Sequence, residues 1–333
     1  MKILVTGGTG FLGRRTIEML LNQGHQLTGL GRNAQIGSEL QKLGANFIRA
    51  DLSDISKLQT ACEAQDVVIH CAALSSPWGK KEDFIQSNVE GTQNILRAAI
   101  DSKIHRFVHI STPSIYIDSK SRLNIRESDP LPKNSINEYA RTKRIAEELV
   151  RQSNEQGKIS AVILRPQGIF GPHDSAILPR VIQVTRKKGF FPFIGDGENL
   201  IDMTYVDNVV HAISLCLKGK GAAATGAFNI TNGEPAKNYE LIGQILSGLE
   251  IPFRWKRIPF SVALNLASAL EWTHRHWIQG KEPLLTRYSV LALSQSRTLN
   301  IEAAQQQLGY QPLISLESGI QKTIQWWKPR WQL

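Results

Sequence analysis

Tyr139 and Lys143 stand four residues apart in a helical run that follows the loop 130–137, so both side chains lie on one helical face. A cation about 4 Å from a phenol stabilises the phenolate by up to ~4 kcal/mol at an effective dielectric near 20. That brings a phenol pKa of ~10 down by about two to three units, into the range of a working proton donor or acceptor. Upstream, Ser111-Thr112-Pro113-Ser114 follows a β-branched run and offers hydroxyls that can donate to a carbonyl oxygen. Serine and threonine at strand ends are also ordinary turn residues, and spacing alone does not single out one of the three. Near the N-terminus, Gly8-x-Gly10-x-x-Gly13 lies between a short apolar run and the helical pattern 14–21. Glycines in that setting permit a tight turn, a close backbone approach to a pyrophosphate and close helix-on-strand packing. The helix N-terminus adds free N–H groups for the phosphates.

The second apolar run decides which dinucleotide fits. Sites that take NAD place Asp or Glu about 20 residues beyond the glycines, on the ribose hydroxyls. Here the run ends Leu30-Gly31-Arg32-Asn33, with no acid until Glu39. A guanidinium can grip a 2′-phosphate with two charge-assisted hydrogen bonds, so Arg32 favours NADP(H), with NAD(H) as the alternative. Asp51-Leu52, past the third run, is placed to cradle the adenine; Asp51 also reads as the N-cap of a helix over 54–64.

These residues need a scaffold, and the chain supplies one. Apolar β-branched runs at 2–6, 26–30, 46–50, 66–70, 106–111 and 160–165 alternate with stretches of helical periodicity, one of them spanning 82–102. Strand–helix–strand repetition demands parallel pairing and largely apolar strands. The expectation is α/β: a Rossmann doubly wound parallel sheet over residues 1–170, with a smaller, mostly helical C-terminal substrate lobe over 171–333. That lobe packs on the sheet's carboxyl edge, and some chain crosses back to the sheet. Within it, Val206, Val209, Val210, Ile213 and Leu217 share one helical face, 227–231 reads as an isolated strand, and 239–249, 260–272, 301–308 and 315–327 read as helices.

Composition agrees with such a chain and narrows its partners. The 333 residues are 41% hydrophobic and 20% charged, which excludes disordered and fibrous classes. A formal net charge of +10 favours an anionic partner. Cys62, Cys71 and Cys216 form no C-x-x-C pair, which points away from disulfide scaffolds and zinc ribbons and toward a reducing compartment. No export signal or spanning segment is visible, so the cytoplasm is the expected location. His70, His109, His274 and His276 lack accompanying acids or thiols, and no metal site is expected. Basic clusters at 186–188, 254–257 and 274–276 read as solvated faces rather than a nucleic-acid surface, with 254–277 a candidate docking region for membrane or carrier-bound substrate.

Thr6–Gly13, Asn88-Val89-Glu90-Gly91-Thr92, Ser111–Tyr116, Tyr139–Lys143, Leu164-Arg165-Pro166 and Tyr205-Val206-Asp207-Asn208 together resemble, in order, the motifs of the extended short-chain dehydrogenases/reductases. Arg165–Pro172, Asn232-Gly233-Glu234-Pro235, Pro283–Arg287 and Gly309–Pro312 are most similar to the 3β-hydroxysteroid dehydrogenase branch. That branch includes sterol-4α-carboxylate 3-dehydrogenases and 2-alkyl-3-oxoalkanoate reductases, and Ser111–Ser114 looks most like the latter. The resemblance implies that Tyr139 is the acid/base. Lys143 then binds the nicotinamide ribose and lowers the Tyr139 pKa, while Thr112 holds the substrate oxygen, with Ser111 and Ser114 as substitutes. It assigns the cofactor to Gly7, Gly10, Phe11, Leu12, Gly13, Arg32, Asp51, Leu52, Ala72, Ala73, Asn88, Pro166 and Ile169, together with Tyr139 and Lys143. The implied reaction is NADP(H)-dependent interconversion of a secondary alcohol and a ketone on a bulky hydrophobic small molecule. Phe190, Phe191, Phe193, Trp255, Phe260, Trp272 and Trp277 could line its cleft, although such groups more often pack a core. A homodimer through helices near 82–102 and 136–156 is a further implication. Pro113-Ser114 stands where the sugar-nucleotide dehydratases carry Asp-Glu, so that dehydration lacks its acid/base pair. A nucleotide-sugar epimerase and a non-catalytic NADP-binding redox sensor are the competing expectations.

Overall fold

A computed structural model describes residues 1–218, 224–278 and 281–331. The apolar runs of the first half become strands, each followed by a helix: β1 (Lys2–Thr6), α1 (Phe11–Asn22), β2 (Gln26–Gly31), α2 (Ala34–Lys42), β3 (Asn46–Arg49), α3 (Ile55–Cys62) and β4 (Val67–His70). A long helix follows, in which α4 (Lys81–Phe84) passes through a π-helical stretch, Ile85–Glu90, into α5 (Gly91–Asp101). Next come β5 (Arg106–Ile110), the 3-10 turn Pro113–Tyr116, β6 (Arg122–Ile125), α6 (Glu138–Glu155) and β7 (Ser160–Pro166).

The second half continues with β8 (Ile169–Phe170), α7 (Leu178–Lys188), β9 (Phe191–Ile194), β10 (Leu200–Ile201), β11 (Thr204–Tyr205), α8 (Val206–Leu215) and β12 (Gly226–Ile230). It ends with β13 (Ala236–Lys237), α9 (Asn238–Gly248), β14 (Trp255–Ile258), α10 (Phe260–His276), α11 (Arg287–Ser294), β15 (Arg297–Leu299), a π-helical turn Ala304–Leu308 and α12 (Leu316–Trp327).

Seven parallel strands form the central sheet in the order β12-β7-β5-β4-β1-β2-β3. Val67–His70 and Arg106–Ile110 are buried along their whole length, as strands covered by helices on both faces must be. Chain order reverses between β1 and β4, and ligands of such sheets bind in the crevice at that switch point. The expectation of an isolated strand near 227–231 is corrected: Gly226–Ile230 pairs in register with β7, from Gly226 opposite Val162 to Ile230 opposite Pro166. Phe228 and Ile230 are apolar enough to be buried there, so the chain returns to close the far edge of the sheet.

One hydrophobic cluster takes Ile3, Val5 and Leu12 together with Val206, Val209, Ile213, Leu246 and Ile320, so the two halves share a core. Helix α8 lies against α1, and the Arg15 guanidinium grips the Asp207 carboxylate with two bonds, at 2.6 and 2.9 Å. A smaller sheet, β13-β10-β15-β6, stands beside the central one. Phe191, Phe193, Tyr239 and Phe253 gather edge-on around Trp255, with ring centroids 5.1–6.2 Å away. The aromatics of this region therefore spend much of their area on one another. Trp272 and Trp277, at 52% and 77% exposed, lie on the outer surface at the end of α10 and not in a cleft. Among the described residues no helix is long and apolar enough to cross a membrane.

Candidate active site

The glycine loop leaves β1 at the switch point. Gly7 has φ +67°, and a Cβ placed there would meet the Ala72 backbone nitrogen at 2.7 Å. A Cβ on Gly13 would meet the Gly7 carbonyl oxygen at 2.2 Å, so α1 can begin this close to the turn only without a side chain. Gly10 caps α1 with no side-chain hydrogen bond and the first turn holds no acid, which leaves amides and dipole open to an anion. Gly7, Gly10 and Gly13 thus fit a bound pyrophosphate. Leu12 is buried in the core and Phe11 is packed against it, so their contribution to a cofactor is through the backbone.

Arg32 lies just past β2 with its side chain 80% exposed, tied only by a 3.6 Å ion pair to Asp51. A cation this weakly engaged, at the end of β2, is free to meet a 2′-phosphate. Asp51 is not the N-cap of the next helix. It accepts from the amide and hydroxyl of Ser53 at 3.1 and 3.0 Å, while Asp54 caps α3 by accepting from the Lys57 amide at 3.3 Å. Helix α3 therefore starts three residues later than an Asp51 cap requires. Leu52 is buried, and its carbonyl takes the Asn94 side-chain amide at 2.9 Å.

The segment after β4 joins the two ends of the site. Ala72 sits against Gly7, and three residues further Ser75 comes close enough to the Tyr139 phenol to act on its pKa. Asn88, in the π-helical stretch, pins this segment. Its carbonyl oxygen accepts from the Leu74 amide at 2.7 Å and its amide donates to the Leu74 carbonyl at 3.2 Å and to Thr142 Oγ1 at 3.0 Å. Asn88 therefore positions the wall of the site from behind. Pro166 ends β7 beside Ile230, and Ile169 pairs with Thr204 on the same carboxyl side of the sheet.

Tyr139 stands in the first turn of α6, which Asn137 caps by accepting from the Ala140 amide at 2.9 Å. Burial raises its pKa, while the neighbouring Ser75 and Thr112 hydroxyls oppose that rise. Thr112 Oγ1 donates to Ser114 Oγ at 3.0 Å, and Ser114 Oγ meets the Tyr288 hydroxyl, also at 3.0 Å. Tyr139, Thr112, Ser114 and Tyr288 form a line of hydroxyls at the carboxyl end of β5.

Lys143 lies one turn on and is buried, donating to the Ile110 carbonyl at 2.7 Å with His109 Nε2 at 3.2 Å. Burial brings its pKa down to about 8, against the pull of the Glu147 carboxylate. The ammonium is engaged by Ile110, and the groups that act on the phenol are Ser75, Thr112 and Tyr288. His70 and His109 are both held neutral by burial, His70 between Thr6 and Thr92 at 2.7 and 3.0 Å.

Ser111 belongs to a different network. It donates to Glu147 Oε2 at 2.7 Å, and Glu147 also receives the buried Arg165, whose guanidinium reaches the Tyr116 hydroxyl. Thr112 is left beside the phenol, with Ser114 bonded to Thr112 and Tyr288. Ser75 and Tyr288 were not singled out by any motif. Ser75 follows the fourth strand beyond the two alanines, and Tyr288 comes from α11, roughly 150 residues after Tyr139, where no local spacing signals it.

Residues 3–231 match the model of the NAD dependent epimerase/dehydratase family. The chain is 35% identical to a 2-alkyl-3-oxoalkanoate reductase of Stenotrophomonas maltophilia, covering 97% of this chain and 98% of that protein. It is 30% identical to a decarboxylating sterol-4-alpha-carboxylate 3-dehydrogenase of Mus musculus, over 97% and 90% of the two chains. A crystal structure of the UDP-glucuronic acid 4-epimerase from Bacillus cereus in complex with NAD superposes with a TM-score of 0.76, at 25% identity over 99% of each chain. A dinucleotide-shaped glycine turn, a tyrosine and a lysine one helical turn apart and a threonine hydroxyl beside the phenol thus coincide with whole-length similarity to a reductase and a dehydrogenase. The chain belongs to the NAD-dependent epimerase/dehydratase family and is an NAD(P)-dependent oxidoreductase acting on hydroxyl or keto groups.

Proposed function

We propose that the protein interconverts a secondary alcohol and a ketone on a bulky apolar substrate, of the 2-alkyl-3-oxoalkanoate or 3-hydroxysterol kind, with NADP(H) as preferred cofactor. The observation that carries the reading is the continuous 72–75 segment, which touches the glycine turn at Ala72 and the Tyr139 phenol at Ser75. Whatever lies along it from the turn reaches the line of hydroxyls.

The nicotinamide, when bound, supplies or takes up the hydride. In the reducing direction Tyr139 donates its hydroxyl proton to the substrate oxygen, and Thr112 donates a hydrogen bond to the same oxygen as negative charge develops on it. To do so Thr112 turns its hydroxyl proton from Ser114 Oγ to that oxygen, while Ser114 Oγ keeps the Tyr288 hydroxyl as its partner. Lys143, presented at the base of the site by Ile110 and His109, has one N–H left for a ribose hydroxyl. Arg32 is the residue that selects the phosphorylated cofactor.

Substrate class rests on the two relatives' names, both of which describe chemistry at a hydroxyl or keto carbon on an apolar skeleton. The solved relative is an epimerase, which favours nucleotide-sugar epimerisation as the second reading. A panel of 2-alkyl-3-hydroxy acids, 3-hydroxysterols and UDP-hexoses, with NADP and NAD each, followed at about 340 nm where reduced nicotinamide absorbs, separates them. Net cofactor reduction with the first two classes supports the proposal. Conversion of UDP-hexoses alone, with no net cofactor change, would overturn it.

A further inference from the structure

Among the described residues, eight buried side-chain polar atoms have no hydrogen-bond partner, and four of them crowd one place: Arg297 Nε and Nη2, Asn199 Nδ2 and Gln167 Oε1. The three residues are neighbours. Gln167 donates its amide to the Arg297 carbonyl at 2.8 Å, and Asn199 precedes by two residues Ile201, which stands opposite Arg297 in the small sheet. Arg297 is only 6% exposed, Asn199 6% and Gln167 8%.

Arg297 lies two residues before Leu299 on β15, where the register against β6 shifts from Arg297 opposite Arg122 to Leu299 opposite Ile125. Leu299 packs on Ile115 and Tyr116 of the 3-10 turn that begins beside Thr112. The groups close enough to act on the guanidinium electrostatically are Tyr288, Asp118 and Arg122. Tyr288 is the last member of the hydroxyl line. Asp118 is only half-buried and uses its carboxylate on the Lys120 amide at 2.8 Å. A buried guanidinium with unmet donors is costly, and native chains keep buried charges paired. Three of the four unmet atoms are N–H donors, against the single acceptor Gln167 Oε1, so donors are in excess, and Nε and Nη2 of Arg297 form the fork that matches a planar two-oxygen anion.

We infer that Arg297 and Asn199 form a carboxylate-binding site for the substrate, one phenol away from the reacting centre. The inference rests on the hydride-transfer reading of Tyr139 and Thr112, and it narrows that reading to an acid: the molecule reduced or oxidised carries its own carboxylate. Tyr288 then has two neighbours, the hydroxyl line on one side and the anchored anion on the other, and it fixes the distance between them.

The probes are 2-hexyl-3-hydroxydecanoate and its methyl ester, which differ in charge and not in the reacting carbinol. Wild type, Arg297→Met and Arg297→Lys are compared by calorimetric binding in the presence of NADPH, and by oxidation rate with NADP. The acid is expected to bind wild type about 10- to 100-fold more tightly than the ester, and Arg297→Met to abolish that preference by weakening the acid alone, as loss of a charge-assisted fork should. Arg297→Lys should restore part of it. Because the methionine removes a stranded cation, the thermal midpoint of the unliganded variant should hold or rise, which shows that any loss is not unfolding.

Equal binding of acid and ester by wild type, or an acid preference untouched by Arg297→Met, overturns the assignment and leaves the four atoms to buried water. UDP-glucose binding that depends on Arg297, with acid binding that does not, overturns it in favour of a phosphate. If neither probe is oxidised yet acid binding still depends on Arg297, the carboxylate site stands and the hydride-transfer reading falls.

Discussion

Glu147 is the substitution most informative about how the site is held. Its carboxylate accepts from Ser111 at 2.7 Å and from Arg165 Nε at 3.1 Å, with a second bond from Arg165 Nη2, and both side chains are about nine-tenths buried. Glu147→Gln keeps the shape and removes the charge, stranding a buried guanidinium whose remaining partner is the Tyr116 hydroxyl. Breaking one side of a buried pair costs about 3–5 kcal/mol. An unfolding entropy of ~2.1 cal/mol/K per residue gives about 0.7 kcal/mol/K for a chain of this length, so the thermal midpoint should fall by about 4–7 °C. Differential scanning calorimetry at pH 7.5 measures it. The double variant Glu147→Gln/Arg165→Met, which removes the stranded cation as well, should recover part of the loss. A fall below about 1 °C, or a double variant less stable than Glu147→Gln, would show that the pair does not carry this energy and would refute the reasoning.

Three further outcomes are expected. Tyr139→Phe should lower turnover by about 10²–10⁴-fold, the usual worth of a positioned acid/base, while NADPH binding by fluorescence changes little; unchanged turnover would show that the proton comes from another group. Lys143 falls from 10.5 to about 8 on folding, so the folded state disfavours its proton. Its stabilising contribution is full above about 10.5 and is lost as pH falls through about 8, a difference of roughly 3 kcal/mol. Urea unfolding of wild type and Lys143→Met at pH 7.5 and 9.5 should therefore show wild type gaining on the variant at the higher pH, and a flat gap contradicts the buried ammonium. Arg32→Ser should cut the NADP over NAD preference in kcat/KM by about 10- to 100-fold, the worth of one or two charge-assisted bonds; an unaltered ratio means the 2′-phosphate is held elsewhere.

The first half of the chain was readable because each of its elements is decided locally. The glycine turn, the apolar strands around it and the Tyr139–Lys143 spacing all depend on near neighbours, and they stand where periodicity and turn chemistry put them. What escaped was non-local. Residues 226–230 read as a lone strand because nothing near them indicates that β7 is their partner, 60 residues upstream. Tyr288 arrives on a short helix of ordinary composition. Ser111 and Thr112 are adjacent and alike in sequence, and only the strand's alternation sends one to Glu147 and the other to Tyr139. The direction of the Lys143 ammonium likewise depends on the Ile110 carbonyl, a backbone group that no residue type announces.

The closing strand has a consequence for synthesis. Because Gly226–Ile230 completes the parallel array that Lys2–Thr6 begins, a ribosome must have released more than two thirds of the polypeptide before that array can be finished. Until then the outer flank of Ser160–Pro166 presents unpaired backbone amides and carbonyls, open to another chain. Growth temperature and translation speed through residues 166–230 should therefore govern how much of the nascent product ends in inclusion bodies.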